Sequence, residues 1–249
     1  MAGQKTTPPE PSGEAPAGTR RPAWRRLAGD LLLIVGGVVL SYPFWSAAYA
    51  QVQQSRLGTA YRAQEVAFSA SLAAEELARP RDVGDDEYVR RLAVRYGRSL
   101  RPGDPVGRLR IPRLRLDRLV LQGVGGRLAL DPDGDGAMLR SGPVHYAVTP
   151  LPGAGEPFAV AGHRTTYGAP FYDLDRLKKG DPIYVDTPYA RFRYAVVKQT
   201  VVLPSDVGVL ADRGYGLVLT TCTPRYSASH RLVVWASLER ARPLRAHRR

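Results

Sequence analysis

An acyl-transfer site needs a nucleophile, a group that moves a proton and a group that holds a developing oxyanion. Cys222 is the only cysteine in 249 residues, so it cannot form an internal disulfide. It lies in Leu219-Thr220-Thr221-Cys222-Thr223-Pro224, nine residues before Arg231. A leftover thiol in an exported chain faces an oxidising compartment, and its retention points to reactivity. Four histidines could carry protons: His145, His163, His230 and His247. His163 follows an apolar run in Val160-Ala161-Gly162-His163-Arg164, where Gly162 leaves room for a close approach. His145 lies in a Gly-Pro loop, and His247 in a basic tail. His230 precedes Arg231 and would point to the opposite face of a strand. Cys222 would close one strand and Arg231 would open the next. A guanidinium brought beside the thiol favours the thiolate and can donate to a carbonyl oxygen. On spacing alone, a structural histidine at 163 and a surface ion pair at Arg231 stay open.

These residues need a scaffold. From about Asp104 the chain reads as short strands at 108–111, 118–122, 158–161, 182–186, 191–203, 216–222 and 231–238. Turn signals separate them: Asp131-Pro-Asp-Gly-Asp-Gly136, Leu151-Pro-Gly-Ala-Gly155 and Asp212-Arg-Gly214. The segment 173–177 reads as one helical turn, with Asp173 as its N-cap. Many strands with little helix imply a closed or nearly closed β-barrel. The acidic turn at 131–136 lacks the glutamate that completes a calcium loop.

Before the barrel, residues 1–22 are rich in Pro, Gly, Thr and Glu and are expected to be disordered. No charge occurs from Leu31 to Ser55, a stretch long enough to cross a bilayer of about 30 Å. Trp45 and Tyr49 suit the far interface. Arg20, Arg21, Arg25 and Arg26 precede the span, which places the N-terminus in the cytoplasm. Ala48-Tyr49-Ala50 would also suit a signal-peptidase site, and a buried core helix is a third reading. The length of the apolar run favours an uncleaved anchor. Residues 56–79 favour helix, ended by Pro80, and residues 81–103 read as a charged spacer with a short helix near 87–96. The net charge of +13 is spread along the chain and is densest at the C-terminus. It is not organised as a basic, aromatic-interleaved stripe for nucleic acid.

The Leu-Thr-Thr-Cys run, Arg231 opening the next strand and Ala161-Gly162-His163-Arg164 upstream resemble the sortase family of cysteine transpeptidases. Val218 stands where that family has its first threonine. The runs 162–171 and 221–227 are most similar to class E sortases of high-GC Gram-positive bacteria. The resemblance implies a mainly β fold: an eight-stranded barrel with short helices, preceded by a transmembrane helix. It implies Cys222 as nucleophile, His163 as acid and base, and Arg231 as oxyanion and peptide clamp. Tyr167 and Thr221 are carried over as residues that shape the substrate groove. The implied substrate is a Leu-Ala-x-Thr-Gly-like signal, cut between Thr and Gly. The implied acceptor is an amine of a lipid-linked wall precursor or a pilin-like subunit. No cofactor or metal is implied.

The expected layout is a disordered cytoplasmic tail at 1–30, an anchor at 31–52 and a helical stalk at 53–103. A catalytic domain at 104–239 and a basic tail at 240–249 follow, with the enzyme on the outer face of the cell membrane. Two alternatives are an exported cysteine hydrolase acting on wall peptides and an anchored binding barrel with an inert thiol.

Overall fold

A computed structural model of the chain describes residues 23–77, 84–124, 136–155, 157–212 and 214–244. The expected disorder at 1–22, the stop at Pro80, the acidic turn up to Asp135 and the tail from 245 lie outside them. The chain divides into two units, residues 1–42 and 43–249. Helix α1 (Ala23–Leu77) runs through both. In the first unit its apolar side chains, among them Leu31, Leu32 and Leu33, are exposed. The helix is long and apolar enough to cross a membrane.

In the second unit eight strands close into a barrel: β1 (Pro105–Ile111), β2 (Leu116–Gln122), β3 (Val144–His145), β4 (Phe158–Ala161), β5 (Pro182–Asp186), β6 (Ala190–Val202), β7 (Leu217–Thr223) and β8 (His230–Pro243). Their order around the barrel is β1-β2-β3-β4-β7-β8-β6-β5. The pairs β2–β3 and β4–β7 are parallel and the rest antiparallel. Alternation explains the strands. In β6, Phe192 and Tyr194 are buried, while Arg191 before them and Arg193 between them are exposed. Phe158, Val160, Leu217, Leu219, Leu232 and Val234 point into the same core. Each such side chain contributes about 1.5–3 kcal/mol by leaving water.

Two helices close one side. Helix α2 (Asp85–Ser99) carries three acids in its first turn, which suits the helix dipole. It buries Tyr88, Val89, Leu92, Ala93 and Tyr96, a 3.6-residue pattern, in the barrel core. Tyr96 donates to the Pro105 carbonyl at 2.9 Å. The expected spacer is therefore, from residue 84 onward, part of the packed domain. Charge on its outer face hid the apolar stripe. The later turns of α1 also dock. Phe68 meets Tyr96 edge-on at 5.1 Å, and Tyr61 donates to the Asp186 carbonyl at 3.0 Å. Gln54 donates to the carbonyls of Leu119 and Ser141 at 3.2 and 2.9 Å, and accepts from Leu119 N at 2.8 Å.

Three expectations need correction. Strand β3 was not foreseen, because two residues carry no periodicity; its register beside Leu121 and Ala161 defines it. Asp173 does precede a 3-10 turn (Leu174–Arg176), but its side chain makes no cap bond. Its carboxylate instead takes Arg176 and Arg225 at 3.4 and 3.3 Å. The first four residues of the basic segment, Arg240 to Pro243, extend β8 against β6.

Candidate active site

Strand register assembles the three candidate residues. Ala161 of β4 stands beside Thr220 of β7, and Thr220 beside Val233 of β8. Two residues on, Cys222 is the Cα partner of Arg231. Past the end of β4 the pairing continues, with Gly162 N donating to the Thr220 carbonyl at 3.1 Å. His163 thus falls in one row with Cys222 and Arg231. Alternation gives this row a face. Leu217, Leu219, Leu232 and Val234 fill the barrel, so Val218, Thr220 and Cys222 look outward, with Val233 and Arg231. Cys222 and His163 are half-buried, and Arg231 is 4% exposed. The Arg231 Nη1 donates to the carbonyls of Ala228 and His230 at 2.8 and 3.1 Å, which fixes the guanidinium over the β7–β8 turn.

Gly162 holds His163 in place by lacking a side chain. A Cβ there would stand 2.5–2.9 Å from three ring carbons of Phe171, which is fully buried. Phe171 N in turn donates to the His163 carbonyl at 3.1 Å. Gly162→Ala is expected to cost about 2 kcal/mol by overpacking, a fall in Tm of roughly 4–8 °C. A thermal melt checks it, with an unchanged Tm as the contrary result.

Tyr167 is half-buried with its ring centre 5.3 Å from that of His163. It opens a run of left-handed backbone: φ is 51° at Tyr167, 74° at Gly168 and 42° at Ala169. Positive φ costs on the order of 1 kcal/mol or more at a non-glycine residue and needs support. Support comes from α1 and α3 (Gly136–Leu139). Tyr49 meets the Tyr167 ring at 6.4 Å, and Arg140, just past α3, lies 5.7 Å from its centre.

Thr221 takes a different place from the one expected of it. It is buried on the inner face, opposite Cys222, and its hydroxyl donates to the Gly162 carbonyl at 2.8 Å. It ties β7 to the His163 segment. The threonine on the outer face is Thr220, whose Oγ1 lies 2.7 Å from the Tyr146 hydroxyl.

Arg164 was quoted in the sequence motif without a role. It is 5% exposed, and its Nη1 donates to the Cys222 carbonyl at 3.3 Å and to Thr223 Oγ1 at 2.7 Å. Its Nη2 pairs with Asp175 at 2.9 Å. Arg225 reaches Asp173 and Asp175 and lies 4.4 Å from the Tyr172 ring centre. The backbone at Cys222 is thereby clamped to the loop that follows His163. No sequence signal separated Arg164 from a surface arginine.

The other histidines lie elsewhere. His230 is exposed, pairs with Thr223 and contacts Ser229 at 3.0 Å. His145 is buried between Gln122 Oε1 at 2.9 Å and Thr149 Oγ1 at 3.1 Å. Burial pushes its pKa down to about 4, from an ordinary 6.5. The unfolded chain then binds the extra proton between pH 6.5 and 4, so stability is lost as pH falls through that window. The loss is expected to be on the order of 3 kcal/mol. It should shrink in His145→Asn, read as the pH dependence of Tm for the two proteins. Parallel curves would contradict it. His247 lies outside the described residues.

A family model for the sortase domain matches residues 109–239. "Sortase SrtE1" of Streptomyces coelicolor is 34% identical over 160 residues, or 58% of this chain and 43% of that protein. "Sortase SrtE2" of the same organism is 38% identical over 94 residues, or 33% and 37%. The chain therefore spans less than half the length of these two curated relatives. Among solved structures, "SrtF sortase from Corynebacterium diphtheriae" is similar with a TM-score of 0.51 and 25% identity, covering 61% of this chain and 92% of that one.

Proposed function

The chain belongs to the sortase family, and on that premise we propose that it is a membrane-anchored cysteine transpeptidase. The observation that carries this reading is the single row of His163, Cys222 and Arg231 on adjacent segments of one barrel face. The Cys222 thiolate attacks the threonine carbonyl carbon of a Leu-Ala-x-Thr-Gly-like signal. Arg231 takes the oxyanion that forms. The C–N bond to glycine breaks, and protonated His163 gives its proton to the departing amine. An acceptor amine then attacks the thioester carbonyl, gives a proton to His163 and releases the thiolate. The acceptor is a lipid-linked wall precursor or a lysine of a pilin-like subunit.

The geometry favours this division of labour. Arg231 is held by two carbonyls and is nearly free of water, so its charge is poorly screened. Removing such a preorganised donor costs ~10²–10³-fold in rate. Arg231→Ala is expected to lose that much kcat/KM for signal peptide, with Arg231→Lys recovering only part of it. Equal rates in wild type and Arg231→Ala would remove the assignment. His145 is unsuited to the acid role, being enclosed and neutral.

The apolar stretch of α1 serves as the anchor, with the arginines before it inside and the barrel outside the cell. Within the barrel unit, Tyr49 touches Tyr167 beside His163.

The test uses the full chain in neutral detergent with a Leu-Ala-x-Thr-Gly peptide and a glycine-based amine. Ligated product cut after threonine is expected. Cleavage with no ligation under excess amine would indicate the hydrolase instead.

A further inference from the structure

At the other end of the long β6–β8 ribbon lies a second feature of the barrel. Arg231 and Arg242 are eleven residues apart on β8, roughly 35 Å along an extended strand. Around Arg242, six arginines share one outer face. Arg110, Tyr184, Arg193 and Arg240 form one cross-strand row, and Arg108, Asp186, Arg191 and Arg242 the next. A groove of ≈270 Å³ runs between them.

The pairing on this face is unusual. Arg191 stands directly opposite Arg242, and Arg193 opposite Arg240. Like charges in direct cross-strand register destabilise a sheet. Three of the six have carboxylate partners: Arg108 with Asp117, Arg110 with Asp186 and Arg193 with Glu239, at 2.7–3.0 Å. Arg191, Arg240 and Arg242 are exposed and have no carboxylate partner among the described residues. None of the remaining β6–β8 pairs sets like charges opposite each other.

We infer that this face docks a linear polyanion whose repeating charges are phosphodiesters. The planar fork of arginine fits phosphate oxygens two at a time, which lysine or a lone ion pair does not require. Two rows about 7 Å apart, each with several guanidiniums, suit a chain of phosphates better than one phosphate. A flat lipid surface spreads its phosphates in two dimensions, whereas these arginines lie in two short rows beside a groove. Docking here would hold the enzyme on a charged envelope polymer and leave the reactive row open.

The test is binding of a synthetic poly(glycerol phosphate) to the full chain in neutral detergent, at several salt concentrations. Arg191→Gln, Arg240→Gln and Arg242→Gln combined is expected to weaken binding at least about tenfold at low salt and to lower the salt slope by about 2, as three lost contacts require. A charge-matched control, Arg90→Gln, Arg91→Gln and Arg98→Gln on α2, should change affinity by less than about twofold. Equal losses in both triples would overturn the inference, leaving only general basicity. So would equal affinity for polyglutamate of the same length, or a preference for phosphatidylglycerol over phosphatidylcholine vesicles that the β-face triple abolishes. Without polymer, the β-face triple should melt at or above the wild-type temperature, because repulsion is removed; a lower Tm would mean that the arginines serve the fold. Peptide transfer by that triple should stay within about twofold of wild type, so this inference can fail without the transpeptidase assignment failing.

Discussion

Cys222→Ala is expected to lose kcat/KM for peptide transfer by ~10⁴-fold or more, because a covalent route disappears with its nucleophile. Stability should hardly change. The side chain is half-buried on the outer face, and the neighbours that fix its backbone do so through other atoms. Arg164 holds the Cys222 carbonyl, and pairing with Arg231 of β8 holds one edge of the strand. A melting temperature within a few degrees of wild type, with transfer abolished, separates loss of chemistry from loss of fold. Turnover above ~1% of wild type would mean that another group forms the covalent bond.

His163→Ala is expected to cost ~10²–10⁴-fold, the range for one positioned proton carrier. Here the fold contributes less than the ring does. The His163 backbone is fixed by Phe171 N and by the Gly162–Thr220 bond, which alanine retains. Added imidazole should restore part of the rate to His163→Ala and none to Cys222→Ala. His145→Asn and His230→Ala should keep kcat within about threefold, since one lies in the wall and the other faces away. A His163→Ala enzyme with full activity would move the acid and base role to another residue.

The candidate residues could be singled out in the sequence, Cys222 by its local setting and His163 and Arg231 through the family resemblance. A lone cysteine ends an apolar run, a turn follows, and arginine opens the next strand. What they touch was not legible, because it depends on register between distant segments. Thr220 and Thr221 look alike in the sequence. Only the β4–β7 alignment turns Thr220 toward Tyr146, 74 residues earlier, and Thr221 inward to Gly162. The barrel was foreseen from many short strands set between turn signals, whereas β3 is too short to read as a strand. The packing of α2 was hidden by the arginines on its outer side. Arg164 reads as one more surface charge until Asp175 and the end of β7 are seen around it. The arginine rows are invisible for the same reason, since Arg110, Arg193 and Arg240 become neighbours only through β5 and β6.

The central claim is that the Cys222 sulfur carries the peptide between donor and acceptor. Its most direct measurement is the intact mass of the full chain mixed with signal peptide in the absence of added amine and quenched in acid. The mass should rise by that of the Leu-Ala-x-Thr acyl group, the added mass should map to the fragment containing Cys222, and a glycine amine should discharge it as ligated product. An acyl group found on any other residue, or ligation by Cys222→Ala, would contradict the account.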